Sequence, residues 1–234
     1  MIIPVHSLSV VLPAYNEEAV IGDTLTQILS ALAGDFEIIV VNDGSKDSTG
    51  AIVTTIMETE RRVRMVTHER NRGYGSALAT GFAAATKERT FLMDSDGQFD
   101  IADLSFLLEF KDKYDAVIGY RLDRKDSRMR KLNAWGWKWL IRWILDIRVR
   151  DVDCAFKLFP TYFLHQHPPE MRGAMISAEL LYRLKQQGCT LLEIGVQHLP
   201  RKGGVATGAS LRVILRAFQE LFSFAGKCRR EDRR

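Results

Sequence analysis

Cysteine is scarce in this chain. Cys154, Cys189 and Cys228 are scattered over 234 residues, with no Cys-x-x-Cys pair. An odd and widely spaced set argues against a disulfide framework or a zinc site and fits a reducing compartment. No Lys or Arg precedes Lys46, and the apolar run Leu8–Leu12 ends in Pro13 and acidic residues. A secretory leader opens on positive charge, so no signal peptide is expected. No window approaches the ~18 apolar residues of a membrane span, so any membrane contact is expected to be peripheral. The Gly-x-x-x-x-Gly-Lys-Ser/Thr loop and the Gly-x-Ser-x-Gly elbow are missing, which excludes a P-loop and that type of hydrolase. Gly73-Tyr74-Gly75 begins like a dinucleotide fingerprint, but Leu78 stands where the third glycine belongs. Close helix–loop packing is the reading there. Internal repeats, low-complexity stretches and linkers are also absent, so residues 1–234 are expected to form a single domain.

What is present is an ordinary globular balance, 46% apolar and 26% charged, with an uneven distribution of charge. Residues 121–150 carry ten Lys/Arg against three Asp, and residues 227–234 carry five Lys/Arg against two acids. The rest of the chain taken together is acidic, so the basic pI comes from two local patches suited to phosphate or anionic lipid. A solvated basic face is the plainer alternative.

The first 120 residues alternate short Val/Ile/Leu runs with longer amphipathic segments. Strands are predicted at 7–12, 36–41, 63–67, 90–93 and 116–119. Helices are predicted at 17–33, 49–60, 76–86 and 101–110. This is the signature of an α/β fold, with a mostly parallel central sheet covered by helices on both faces. Beyond residue 120 the alternation breaks. A basic loop (121–131) and a tryptophan-rich segment (132–145) are followed by strands at 152–159 and 190–196, a helix at 177–187 and a closing helix at 210–224. Leu132, Trp135, Trp139 and Trp143 recur at helical spacing. Such a stripe is either core-facing or, beside Lys and Arg, interfacial, and both remain open. The closing helix is expected to lie mostly in the core.

Three strand-end loops concentrate polar residues: Pro13-Ala14-Tyr15-Asn16-Glu17, Asn42-Asp43-Gly44-Ser45 with Asp47 and Thr49, and Asp94-Ser95-Asp96-Gly97-Gln98. Strand carboxyl ends are where ligands bind in such sheets. Asp43 and Asp47 also make sense as simple helix caps. Asp94 and Asp96, one residue apart past an apolar strand, repel each other without a cation. Hard oxygens at this spacing suit Mg²⁺ or Mn²⁺ shared with a diphosphate. The five histidines (His6, His68, His165, His167, His198) do not fall at metal spacing, and His198 is weighed between phosphate contact and a structural role.

PAYNEE, VVNDGSKDST, NRGYGSALATG and MDSDGQ, in this order and spacing, resemble family 2 glycosyltransferases of the GT-A fold. The closer resemblance is to the dolichyl-phosphate mannosyltransferase-like branch, which transfers sugars to polyprenyl phosphates. It is carried by Gly119-Tyr120-Arg121, the basic loop 124–131, Asp151-Val152-Asp153-Cys154-Ala155-Phe156-Lys157 and Pro200-Arg201-Lys202-Gly203-Gly204. Ala155 departs from the usual glycine. The resemblance spans roughly residues 7–215. It implies a nucleotide-sugar-binding half (1–120), an acceptor half (121–226) and a basic tail (227–234). Members of the branch often add membrane helices after this domain; none is expected within these residues.

The resemblance implies metal-dependent, inverting transfer from a UDP- or GDP-sugar to a polyprenyl or dolichyl phosphate at the membrane surface. Pro13, Ala14, Tyr15, Glu17, Asp43, Asp94 and Arg201 would bind the donor, and Asp94, Asp96 and Gln98 would hold Mg²⁺ or Mn²⁺. Arg121, Arg128 and Arg130 would receive the acceptor phosphate. Asp96, Arg121, Arg201 and Asp153 would carry catalysis, Asp153 or Asp151 serving as base if the acceptor were a hydroxyl. The expected location is cytoplasmic, on the inner face of the cytoplasmic membrane, with an integral membrane protein as a possible partner and no nucleic acid. Open alternatives are a sugar or protein hydroxyl acceptor, a sugar nucleotidyltransferase, and a catalytically silent nucleotide-sugar-binding membrane adaptor. The missing glycine-rich, arginine-containing first loop argues against the nucleotidyltransferase.

Overall fold

A computed structural model describes residues 2–122, 128–200 and 211–231, with the backbone alone at 128–135, 138, 211–217 and 229–231. Seven strands form one sheet: β1 (Ile3–Ala14), β2 (Leu32–Asn42), β3 (Val63–Thr67), β4 (Arg89–Met93), β5 (Ala116–Arg121), β6 (Phe156–Pro160) and β7 (Leu191–Val196). Their order is β3-β2-β1-β4-β6-β5-β7. The pairs β1·β2, β2·β3, β1·β4 and β5·β7 are parallel, while β6 runs antiparallel to both β4 and β5. The fold is therefore mixed α/β with a mostly parallel sheet, as expected.

Uninterrupted apolar strands explain why helices cover both faces, because successive side chains point to opposite sides. Val10, Leu12, Ile38, Val40, Phe91 and Met93 pack on one face with Ile21, Leu25 and Ile28 of α1 (Ile21–Ala31) and Val53 of α2 (Thr49–Thr59). Leu104 and Leu107 of α4 (Leu104–Leu108) join them. Val11, Ile39, Val41, Leu92 and Ile118 pack on the other, under α3 (Tyr74–Ala84), α6 (Thr161–Gln166) and α7 (Ile176–Gln186). That layer is completed by Ile141 and Leu145 of α5 (Arg128–Leu145) and by Leu221, Phe224 and Cys228 of α8 (Leu211–Glu231).

Several predicted boundaries move. The first helix begins at Ile21, because residues 15–20 form the strand-end loop instead. β6 begins at Phe156, since residues 151–155 form a turn. α6 follows Pro160 directly, where the sequence reading placed no element. α8 continues to Glu231, so the first residues of the expected basic tail are its last turns. Trp139 and Trp143 are 50% and 82% exposed, so the tryptophan stripe faces outward at both positions. On α8, Phe222 is also exposed, against the expectation of a mostly buried helix.

Candidate active site

The carboxyl ends of β1, β2, β3, β4, β5 and β7 lie at one end of the sheet. Because β6 alone is reversed, the turn at 151–155 enters at this same end. Every motif loop of the sequence within the described residues therefore converges there.

The first two loops are clasped by side-chain-to-backbone hydrogen bonds. Asn16 N–H donates to Ser45 Oγ at 3.0 Å, Glu17 N–H to Thr49 Oγ1 at 2.9 Å and Glu18 N–H to Asp47 Oδ2 at 3.1 Å. In return Lys46 N–H donates to Asn16 Oδ1 at 2.8 Å and Ser48 N–H to Glu18 Oε2 at 2.8 Å. Asp47 Oδ1 accepts Thr49 N–H, so the capping role read from the sequence is present. Burial works against the Asp47 charge, but the bonds from Thr49 and Glu18 outweigh it and hold the carboxylate below its ordinary range.

Asp43 is 3% exposed and ties down a third loop: its carboxylate accepts His68 Nδ1 at 2.6 Å, Arg72 N–H at 2.9 Å and Gly73 N–H at 2.9 Å. His68 Nε2 reaches Thr80 Oγ1 at 2.9 Å. Gly44 has φ +71°, and a Cβ there would fall 2.4 Å from the Arg70 carbonyl carbon, so only glycine lets the loops meet. Gly75 is equally constrained: a Cβ would sit 2.3 Å from the Met171 carbonyl oxygen. That is the close packing expected of the Gly-Tyr-Gly segment, and Arg172 C=O caps the amino end of α3.

At the end of β4, Ser95 Oγ donates to Pro13 C=O at 2.7 Å and anchors the segment between its two carboxylates. Asp94 accepts Tyr74 O–H at 3.0 Å, and Asp96 accepts Gln98 N–H at 3.1 Å. Burial, and after it the charge of Asp96, push Asp94 up to about 7; the Tyr74 bond and the charges of Arg121 and Lys157 act the other way. Gln98 Nε2 donates to Leu199 C=O at 3.1 Å, joining this loop to the segment after β7.

Across from these carboxylates, Arg121 Nε and Nη2 bind Asp151 Oδ2 and Oδ1 at 2.7 and 2.9 Å. The side chains are 14% and 10% exposed. Burial opposes the guanidinium charge, and the paired Asp151 more than restores it, leaving Arg121 above its ordinary range. Both Asp151 oxygens are engaged by Arg121, so Asp151 acts as the holder of Arg121, whereas Asp153, two residues on in the same turn, is exposed. Lys157 is fully buried, and its ammonium donates to the carbonyls of Val152 (3.1 Å) and Cys154, gathering the turn from below. Burial pushes the Cys154 thiol up to about 12, which excludes a thiolate nucleophile.

The model of the glycosyl transferase family 2 matches residues 9–164, and these carry the loops just described. The chain belongs to glycosyl transferase family 2. It is 32% identical over 180 residues to the dolichyl-phosphate beta-glucosyltransferase of Homo sapiens, covering 67% of this chain and 55% of that one. It is 28% identical over 241 residues to the dodecaprenyl-phosphate galacturonate synthase of Rhizobium johnstonii, covering 97% and 70%. The chain thus spans little more than half the length of the human relative. Among solved structures, glucosyl-3-phosphoglycerate synthase from Mycobacterium tuberculosis with UDP superposes at a TM-score of 0.74 and 21% identity, covering 94% and 80%. With Mn²⁺, UDP-glucose and phosphoglyceric acid it superposes at 0.70 and 21% identity, covering 92% and 79%. The fold is GT-A.

Within this family 2 fold, Pro13, Ala14, Tyr15, Glu17, Asp43, Asp94, Asp96, Gln98, Arg121 and Asp153 all lie at the strand-end face. Arg201 falls outside the described residues. Arg128 and Arg130 lie on the first turn of α5, and their side chains are not described. His198 is 8% exposed and meets the Phe99 ring edge-on at 5.8 Å. Sequence reasoning missed Tyr74, His68 and Lys157 as parts of the site. Tyr74 and Lys157 sat inside quoted motifs, and an apolar β6 carrying one lysine was a visible signal.

Proposed function

We propose that this chain transfers a sugar from a UDP- or GDP-linked donor to a polyprenyl phosphate at a membrane surface, with inversion. The observation that carries the reading is the gathering of two groups at one sheet end: the Asp94–Asp96 carboxylates after β4, and the Arg121 guanidinium at the end of β5, held by Asp151. The names of the two relatives, both transferases to a polyprenyl phosphate, support the acceptor class.

The donor set fits a divalent cation. Asp94 and Asp96 are hard oxygen ligands whose mutual repulsion a cation relieves. Among the described residues no three His, Cys, Asp or Glu side chains converge on one point, so the remaining ligands would come from Gln98, the diphosphate and water. Mg²⁺ or Mn²⁺ bound by Asp94, Asp96 and Gln98 would neutralise the departing diphosphate. That the M. tuberculosis synthase of the same fold holds Mn²⁺ with UDP-glucose supports a divalent ion in this reading.

The chain's own residues do the rest. The clasped loops 13–18 and 42–49, with Asp43 behind them, form a wall against which the nucleoside lies. Arg121, aimed by Asp151, draws the acceptor phosphate to the face opposite the leaving group. A phosphate monoester has a second pKa of about 6, so its oxygen attacks the anomeric carbon without a general base. The glycosidic bond to the diphosphate breaks as the new carbon–oxygen bond forms, and Arg201 would share the leaving charge. Membrane contact is supported by Trp139 and Trp143, which are 50% and 82% exposed on α5. No helix among the described residues is long and apolar enough to cross a membrane. The test is incubation with UDP- and GDP-sugars, Mn²⁺ or Mg²⁺ and polyprenyl phosphate, followed by mass detection. A glycosylated lipid phosphate is expected; product on hydroxyl acceptors alone would refute the acceptor assignment.

A further inference from the structure

The segment between α5 and the Asp151 turn makes a second basic feature, separate from Arg121. A cavity of about 160 Å³ is lined by Arg142, Ile147, Arg148, Val149, Arg150 and Glu193. That is roughly ten times the space one ordered water requires (~10–15 Å³). The guanidinium of Arg142 lies 5.3 Å above the Trp139 ring, and that of Arg150 lies 4.5 Å above the Tyr120 ring. A guanidinium resting on a ring keeps in-plane N–H donors for an acceptor. Two carboxylates temper the charge. Glu193 accepts Arg150 N–H at 2.5 Å, and Asp146 is shared by Arg148 at 3.2 Å and Lys185 at 2.7 Å. Four cations against two carboxylates leave the rim positive.

We infer that this cavity seats the phosphate of an anionic membrane lipid, and that α5 lies on the bilayer with Trp143 inserted. The chemistry recognised is a phosphate diester. The lipid source follows from the neighbours: Trp143 is 82% exposed and Trp139 is 50% exposed, and Arg142 is shared between the cavity and Trp139. Apolar rings that enter a headgroup layer beside arginines are the composition of an interfacial helix, whereas a soluble phosphate has no use for the rings. Arg150 immediately precedes Asp151, which holds Arg121. A headgroup in the cavity therefore sets the height of Arg121 above the lipid surface. This deepens the proposed membrane-surface reading and rests on it for the nature of the acceptor.

The test uses the whole chain and phosphatidylcholine vesicles with and without phosphatidylglycerol, scored by co-sedimentation, with thermal melting as the check on folding. Wild type is expected to prefer the anionic vesicles. Arg142→Gln/Arg148→Gln, two exposed positions, is expected to bind them roughly thirty-fold more weakly while melting normally. Trp143→Ala is expected to weaken binding to both vesicles. Arg61→Gln/Lys113→Gln, before the amino ends of β3 and β5 and outside the cavity lining, removes equal charge and is expected to keep the preference. An intact preference in Arg142→Gln/Arg148→Gln, an equal loss in the control pair, or displacement of the protein from vesicles by soluble glycerol 3-phosphate would each overturn the assignment. Sugar transfer by wild type to detergent-solubilised polyprenyl phosphate is scored separately, so failure of the acceptor reading is told apart from failure of the headgroup site.

Discussion

The two ends of the sheet bury carboxylates under opposite conditions. At the amino end, Glu37 accepts Ser9 O–H at 2.6 Å, Arg64 Nε–H at 2.8 Å and Thr86 N–H at 2.7 Å. Burial works against its charge, and those donors overcome it, so Glu37 sits below its ordinary value of 4.5. At the carboxyl end, Asp94 has one hydroxyl donor and a carboxylate neighbour, and it rises to about 7. The satisfied end holds the strands together. The end with crowded charge is ready for a ligand that brings positive charge, and stability is the cost of that readiness.

This contrast can be broken most forcefully at the ion pair where the two halves of the site meet. Asp151→Ala leaves the Arg121 guanidinium buried without its bidentate partner. The expected loss is about 3–5 kcal/mol, read by denaturant or thermal unfolding. A variant of wild-type stability would mean that Arg121 is already solvated.

Asp96→Asn acts at the crowded end without breaking its scaffold, because an amide oxygen can still accept Gln98 N–H. Turnover is expected to fall roughly 100-fold or more, about 2.7 kcal/mol in barrier, while the melting temperature stays level or rises as repulsion on Asp94 is removed. Excess chelator is expected to reproduce the loss in wild type. Full turnover of wild type in chelator would remove the metal from the mechanism.

The smallest effect belongs to the satisfied end. Glu37→Gln is expected to lower the melting temperature by about 2–4 °C at neutral pH, the equivalent of ~1 kcal/mol. A carboxylate held below its ordinary value stabilises the fold above that value, and the contribution fades as pH falls through the lower folded-state pKa. Melting curves of wild type and Glu37→Gln should therefore converge in acid, and a constant gap at every pH would assign the loss to packing.

The first five strands were legible because Val/Ile runs between helices leave few alternatives, and Asp94-Ser95-Asp96 was legible because paired acids past an apolar strand require an explanation. The pairings that hold the site were not legible. Arg121 and Asp151 are thirty residues apart, and Asp43 and His68 are twenty-five apart. Each pair meets only after the sheet order is set. The reversed β6 was hidden for a similar reason: an apolar run does not declare its direction. The outward turn of Trp139 and Trp143 follows from Ile141 and Leu145 taking the core side of α5, a choice that spacing alone left open.

The reversal of β6 also bears on how the chain is built during synthesis. β3, β2, β1 and β4 can join as soon as residues 3–93 have emerged, since each finds its neighbour within that stretch. β5 emerges next, but its partners are β6 and β7, both still unmade. A nascent chain paused before residue 156 would hold β4 as an open edge and β5 as an unpaired strand, both exposed to wrong pairing with another chain. Five residues, Phe156–Pro160, close that gap from both sides, which makes this short segment the last stitch of the β3-β2-β1-β4 half of the sheet and the first of the β5-β7 half.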